Sequence, residues 1–471
     1  SAFGIGGTNA HVIVAEAPAP PVRARAVAPA WHLLRLSAKT PTALEKARQQ
    51  LAQHLRRAPA LDLADVAYTL QVGRQEFAYR QIMVCRDRQE AITHLAAPDP
   101  QSVIAQQAPE VAPELIWMFP GGGAQYPNMG RAFYEADGIE ALAPYRAAVD
   151  DCLAILQTRF AIDLKPLLFP DAEHLAAAQC RLEQPSLAYP ALFTTEYALA
   201  KLWLAWGIAP TAMIGHSMGE YMAACLAGVF SLEDALSIVT WRGQLYETIE
   251  PGAMLSVYLS EAEVQARLFG DLAIAAVNKQ NLCTVSGSVV AIEQLAESLT
   301  KADVAWRRVK IAFAGHSPLQ EPILAEFRRR LTQVRFAPPT LPFVSNVTGT
   351  WIRPEEAMDP DYWVRHLRQT VRFSAGLREL LRTPHRLFLE VGPGQTLQPL
   401  VQAHPDKQAH HTALSSLPHP KAAMPDVQSL LQCLGQLWLN GVAAPTLLFD
   451  QQTTHRRIPL PTYPFERQRY W

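Results

Sequence analysis

Two spacings of apolar residues alternate along most of the chain. Short runs such as "HLLRLSA" (32–38), "RQIMVC" (80–85), "LIWMFP" (115–120), "AMIG" (212–215) and "RLFLEVG" (386–392) predict strands. Longer segments with apolar residues three and four apart predict helices, among them "PTALEKARQQLAQHL" (41–55), "DLADVAYTLQVG" (62–73), "MGEYMAACLAGVF" (218–230) and "VQSLLQCLGQLWLNG" (427–441). From residue 113 to 405 the two kinds alternate, which predicts an α/β fold with a mostly parallel, helix-covered, hydrolase-like sheet. Within it, "MLSVYL", "LAIAAVN", "CTVSGS" and "VAWRRVK", with helical "SEAEVQARL" and "VVAIEQLAESLT", predict an inserted ferredoxin-like subdomain over about 253–311.

Punctuation divides the rest. The opening "SAFGIGGTNAHVIVAEAP" (1–18) starts with a glycine-rich turn that leads into an apolar strand "HVIV", as if cut from a preceding structure. The proline- and alanine-rich stretch 17–30 predicts a semi-rigid linker. The expected divisions are 1–18, a small α/β linker domain within 19–112, the main domain 113–405, and a C-terminal segment 406–471 with one helix.

Composition narrows the class without choosing a function. The 471 residues are 49% hydrophobic and 18% charged with a net charge of −1, which predicts compact domains and gives no bulk charge for nucleic acid. Six scattered cysteines without a CxxC pair predict neither a metal knuckle nor a disulfide framework, and fit a reducing cytoplasm. No apolar run approaches the ~20 residues of a membrane span.

The candidate chemistry centres on "GHSMG" (215–219), a G-x-S-x-G pattern at a predicted strand-to-helix turn. Such a turn exposes the Ser217 hydroxyl at a helix N-terminus, where free N–H groups favour a developing oxyanion, with Met218 as one donor. A serine that only caps a helix leaves the two flanking glycines unexplained. Of the fourteen histidines, His316 in "IAFAGHSPLQEPIL" is the candidate base, because it ends a strand-like run and opens a loop. A plain loop histidine is the competing reading. His216, next to the serine at a sharp turn, is expected to be structural.

Six segments, "FPGGGAQYPNMGRAFYE", "LEQPSLAYPALF", "GHSMGEYMAACLAG", "WRGQLYE", "FAGHSPLQEPIL" and "LEVGPGQTL", occur in the order found in acyltransferase domains of modular type I polyketide synthases, relatives of malonyl-CoA:acyl carrier protein transacylase. The flanks agree: residues 1–18 resemble the end of a ketosynthase domain, residues 19–112 the ketosynthase-to-acyltransferase linker, and "LPTYPFERQRYW" the linker that follows the acyltransferase. The resemblance implies that Ser217 is acylated and that His316 is its general base, held by the backbone carbonyl of Arg372. It implies an oxyanion hole from the N–H groups of Met218 and Gly122, where many relatives carry glutamine in place of Gly122. Arg242 matches the arginine that grips the carboxylate of a malonyl-type extender, a task for which a planar guanidinium is suited. Its alternative is a surface arginine on an amphipathic helix.

Gln184, Asn278 and Asn281 match residues near the family's active site. Phe313, Ala314 and Gly315 precede His316 where malonyl-selective relatives often read HAFH and methylmalonyl-selective ones YASH. This chain fits neither; the "GHSMGE" segment favours malonyl, whereas Gly315 leaves space for a substituted extender. The resemblance implies no bound cofactor and no metal, malonyl-type coenzyme A as substrate, and an acyl carrier protein with its phosphopantetheine as acceptor. Partners would be that carrier, the ketosynthase and other domains of a parent synthase, with neither nucleic acid nor membrane. A serine hydrolase remains the second class, distinguished by Arg242, which has no role on a plain acyl tail. A non-catalytic docking scaffold is the third, and intact Ser217, His316 and Arg242 argue against it.

Overall fold

The computed structural model describes residues 1–4, 6–7, 9–15, 31–100, 102–309, 311, 313–446 and 455–469. The expected linker at 17–30 lies outside the described residues. At the start, strand β1 (Ala2–Phe3) pairs antiparallel with β2 (Asn9–Ala10). The expected strand over "HVIV" does not form: pairing stops at Ala10, and Val12, Ile13 and Val14 are largely exposed and pair with no strand among the described residues.

Strands β3 (His32–Ala38), β4 (Tyr79–Cys85) and β5 (Val103–Gln107) make an antiparallel sheet in the order β3-β4-β5. The helix Pro41–Arg57 begins where Thr40 Oγ1 accepts from the Ala43 N–H and Pro41 has no N–H that would need an acceptor. This sheet is covered on both faces, which is why "HLLRLSA" is buried almost throughout, its His32 and Arg35 included. Leu34, Met83 and Cys85 pack on the domain's own helices, whereas Leu33, Ile82 and Val84 join the main core together with the C-terminal helix Asp426–Leu439. That helix lies so close that a Cβ on Gly435 would stand 2.5 Å from Ile82 Cδ1. The tail then returns over the same domain, with Ile458, Leu460 and Tyr463 on its core and the Ile458 N–H on Thr69 Oγ1 at 3.0 Å.

The main sheet holds β6 (Glu114–Phe119) and β7 (Ala212–Gly215), followed in the chain by an inserted unit of β8 (Gly252–Val257), β9 (Ala273–Lys279), β10 (Leu282–Ser288) and β11 (Trp306–Arg308). The insert is antiparallel in the order β11-β8-β10-β9, with helices Glu261–Gln265 and Val289–Lys301 and a core of its own. This is the ferredoxin-like arrangement expected from the sequence. The chain re-enters the main sheet through β12 (Phe343–Val344), β13 (Arg386–Glu390) and β14 (Thr412–Ser415). The order is β12-β7-β6-β13-β14, all parallel. The chain runs from β6 to β7 and β12 on one side and through β13 and β14 on the other, so the switch point where ligands of such sheets bind lies at the carboxyl ends of β6 and β13, next to the turn that follows β7. Among the described residues no helix is long and apolar enough to cross a membrane.

Candidate active site

The turn after β7 carries Ser217 in a left-handed conformation, φ +48°, which is uncommon for a residue with a side chain. The flanking glycines make that turn possible. A Cβ on Gly215 would meet the Glu220 backbone nitrogen at 2.0 Å, and one on Gly219 would meet the Phe119 carbonyl oxygen at 2.1 Å. Strand and helix Gly219–Leu226 thus approach more closely than any larger residue permits. Asn346, just beyond β12, clamps the turn: its Oδ1 accepts from the Ser217 N–H at 2.6 Å and its Nδ2 donates to the Gly215 carbonyl at 2.7 Å. The Asn346 N–H in turn donates to the buried Glu220 carboxylate at 2.7 Å.

His316 stands opposite, 2.7 Å from Ser217 Oγ through Nε2. Its Nδ1 lies 2.8 Å from the Gln369 carbonyl. A carbonyl only accepts, so Nδ1 carries the proton and the Nε2 lone pair faces the serine hydroxyl. Burial, then the Arg242 cation and His366, hold the imidazole's pKa well below its ordinary value, which keeps it neutral and able to accept a proton. The expected orienting carbonyl, Arg372, is not the one used. It accepts from the Gly376 N–H at 3.0 Å, at the start of the helix Phe373–Leu381. Helix geometry engages that carbonyl, and the one that reaches His316 lies three residues earlier.

Gly122 and Met218 both line the cavity beside Ser217. Neither backbone N–H has an acceptor among the described residues, whereas the Gly123 N–H is taken by Gln125 Oε1 at 2.8 Å. Two free donors near the serine suit an oxyanion.

Arg242 projects from the helix Leu232–Tyr246 and is buried, not on a surface. Its Nη2 lies 3.3 Å from Ser217 Oγ and 3.1 Å from the Tyr246 hydroxyl, with Nε 3.3 Å from that hydroxyl. The rings of Tyr189, Tyr221 and Tyr246 surround it at 5.4 to 5.5 Å. Nη1 is buried and has no hydrogen-bond partner among the described residues. A desolvated guanidinium with a vacant N–H beside a reactive hydroxyl suits an anionic group on the bound acyl chain.

The cavity, about 570 Å³, runs from this point between the two sheets. The insert supplies one wall: His216 Nε2 meets Asn278 Oδ1 at 2.8 Å, and Asn278 Nδ2 donates to Thr284 Oγ1 at 3.1 Å. Phe313 and Gly315 line the cavity too. Three expected residues do not. Ala314 turns its methyl away from the cavity, towards Gly252 on β8. Gln184 is exposed at the head of the helix Pro185–Ala205, where its carbonyl accepts from the N–H groups of Leu187 and Ala188. Asn281 is exposed in the tight turn between β9 and β10. Sequence reasoning missed Asn346, Gln369, Tyr189 and Tyr246; only Asn346, a polar residue at the carboxyl end of a strand beside β7, left a positional signal.

A parallel α/β sheet with a serine and a histidine in hydrogen-bond contact beside its switch point suits acyl transfer by way of a hydroxyl. Residues 116–444 match the acyl transferase domain family, and residues 32–95 match the CurL-like, PKS C-terminal family. The chain belongs to the acyltransferases: it is an acyltransferase domain of a type I polyketide synthase together with the linker region that precedes such domains. It is 35% identical over its whole length to a component of the phenolphthiocerol/phthiocerol polyketide synthase of Mycobacterium tuberculosis, covering 32% of that protein. It is likewise 35% identical to spectinabilin polyketide synthase system protein NorB of Streptomyces orinoci, covering 22% of it. The chain therefore spans less than a third of these relatives. Among solved structures, the acyl transferase domain of ZmaA superposes with a TM-score of 0.83 at 38% identity, over 93% of this chain and all of that one. The acyl transferase domain of SpnD, in complex with 2-(pent-4-yn-1-yl)malonyl, gives 0.79 at 36% identity, over 88% of this chain and 96% of that one.

Proposed function

We propose that this domain transfers a malonyl-type extender from coenzyme A to the phosphopantetheine thiol of an acyl carrier protein, through an ester on Ser217. His316 Nε2 takes the hydroxyl proton as Ser217 Oγ attacks the thioester carbonyl, and the Met218 and Gly122 N–H groups hold the oxyanion. When the tetrahedral intermediate collapses, the C–S bond breaks and the coenzyme A sulfur leaves with the proton from His316. The carrier's thiol then gives a proton to His316 and attacks the ester carbonyl; the C–Oγ bond breaks and Ser217 Oγ takes the proton back from His316, leaving the acyl group on the carrier's sulfur. The Gln369 carbonyl keeps the imidazole in the needed tautomer throughout.

The unpartnered Nη1 of Arg242 carries the choice of extender class. A free carboxylate there supplies the missing acceptor and also offsets a cation that otherwise disfavours the imidazolium. Malonyl is the extender this reading favours. A substituted malonyl is the second, because a Cβ on Gly315 would have no neighbour closer than Phe313 Cε2 at 3.8 Å; the SpnD relative is itself seen with a substituted malonyl. The acyl carrier protein, the ketosynthase and the other domains of a parent synthase are the proposed partners.

Incubation with an equimolar mixture of malonyl-, methylmalonyl- and acetyl-CoA, followed by mass analysis of the peptide containing Ser217, tests the reading. Malonyl should dominate. A predominantly acetylated peptide would contradict the carboxylate clamp.

A further inference from the structure

Arg242 and Tyr246 lie four residues apart on one helix, so their side chains share a face. The guanidinium has two edges that can take a pair of acceptors: the side edge, Nε with Nη2, and the end edge, Nη1 with Nη2. The Tyr246 oxygen sits on the side edge, accepting from Nε at 3.3 Å and from Nη2 at 3.1 Å. The second hydrogen of Nη2 is directed to Ser217 Oγ at 3.3 Å. What remains for a ligand on the end edge is Nη1, which is buried and makes no close hydrogen bond among the described residues although the Tyr221 side chain is near the guanidinium; the Nη2 hydrogen on that edge becomes available once Ser217 Oγ is acylated.

We infer that Tyr246 is a positioning residue for extender selection: its hydroxyl occupies the side edge of Arg242 and so presents the end edge to the carboxylate of an acyl group on Ser217. This rests on the carboxylate-clamp reading above and adds to it the residue that sets the clamp's orientation. The ring itself is fixed against Phe313 at 5.1 Å and Tyr189 at 5.9 Å, which holds the oxygen where it is. Without that oxygen, Nε and one hydrogen of Nη2 would be buried without an acceptor, and the guanidinium would gain by turning its side edge to the carboxylate. That turn moves the extender's carboxylate relative to the reacting carbonyl, so the loss falls on dicarboxylic substrates.

Tyr246→Phe removes the oxygen and keeps the ring that packs on Tyr189 and Phe313. Self-acylation kinetics should show kcat/KM for malonyl-CoA lowered by about tenfold or more, the usual consequence of losing a hydrogen bond to a charged group, chiefly through KM. Acetyl-CoA should change less than about twofold, since it has no carboxylate for the clamp to orient. A thermal unfolding curve recorded alongside shows whether folding is intact. In an Arg242→Ala background, Tyr246→Phe should cost nothing further for malonyl, because the hydroxyl acts only through the guanidinium. Equal losses on both substrates, no loss on either, or an undiminished effect in the Arg242→Ala background would overturn the inference. If Arg242→Ala itself fails to separate malonyl from acetyl, the clamp reading falls and this inference with it. If Arg242→Ala separates them and Tyr246→Phe does not, only the role of Tyr246 is lost.

Discussion

Gly122 and Tyr189 share one volume: a Cβ built on Gly122 would stand 2.9 Å from Tyr189 Cε1. The loop that offers a free N–H beside Ser217 therefore rests on a tyrosine ring, and that ring also contacts Phe313 at 5.8 Å and the Arg242 guanidinium at 5.5 Å. The glutamine that many relatives carry at this point has no room here unless the tyrosine yields. Gly122→Gln should lower stability by about 1 to 3 kcal/mol, as overpacking does, and slow acylation by displacing the N–H. The cost of Tyr189→Ala should be smaller in the Gly122→Gln background than in the wild type, because the glutamine takes up part of the space the ring vacates. Thermal unfolding and acylation rates of the single and double variants check this, and a harmless single variant would show that the ring moves freely.

Asn346 joins the Ser217 N–H to the Gly215 carbonyl across a turn whose serine is at φ +48°. Asn346→Ala leaves a donor and an acceptor without partners in the interior, each worth about 1 to 3 kcal/mol. The expected result is a lower melting temperature together with slower acylation, because the turn relaxes and carries Ser217 Oγ away from His316. A variant with a normal melting curve and normal acylation would show that Asn346 does not hold the turn.

The basic group His316 is held neutral below the ordinary histidine pKa by burial and then by Arg242. Protonation removes the lone pair that Ser217 needs, so activity falls as pH falls, but only below that ordinary value of ~6.5. The acid limb of kcat/KM, which reports the free enzyme, should therefore lie under it. In kcat for malonyl-CoA the limb should move up, because a carboxylate on Arg242 offsets the cation that depresses the imidazole. With acetyl-CoA that upward move should be absent. Coincident limbs for both substrates would show that Arg242 does not act on His316 through charge.

Gly315 lines the cavity one residue before His316, and a side chain there starts in ordinary contact with Phe313 and Gln320. Gly315→Phe should lower methylmalonyl relative to malonyl in a competition assay read as a kcat/KM ratio. The expected shift is modest, since a pocket separates hydrogen from methyl by about 1 to 3 kcal/mol. An unchanged ratio in a variant that folds and acylates would mean the segment does not face the substituent.

What could be read from the sequence follows from how local each signal is. The Ser217 turn requires its own neighbours, Gly215 and Gly219, so "GHSMG" signals it locally, whereas the Asn346 clamp that holds it comes from a distant segment. The five-stranded sheet is legible through β6, β7 and β13, whose apolar runs are buried, whereas its short β12 and β14 leave weak patterns, as does β5 at the edge of the N-terminal sheet, with alternate residues exposed. The carbonyl that meets His316 could not be found to the residue, because every residue has one and only the loop's path selects Gln369 over Arg372. Gln184 and Asn281 were expected near the site by motif position alone, and a helix start and a hairpin tip carry them to the surface. The tyrosines around Arg242 come from Tyr189, Tyr221 and Tyr246 on three separate helices, a convergence that no single segment displays.

The central claim is an ester on Ser217 formed from a malonyl-type thioester with His316 as base. Intact-mass measurement of the protein after incubation with malonyl-CoA tests it most directly, with wild type, Ser217→Ala and His316→Ala compared under one condition. One malonyl group is expected on the wild type, none on Ser217→Ala, and formation slowed by a factor of roughly 10² to 10⁴ in His316→Ala, the usual contribution of a positioned base. A malonyl adduct that persists on Ser217→Ala would contradict the claim.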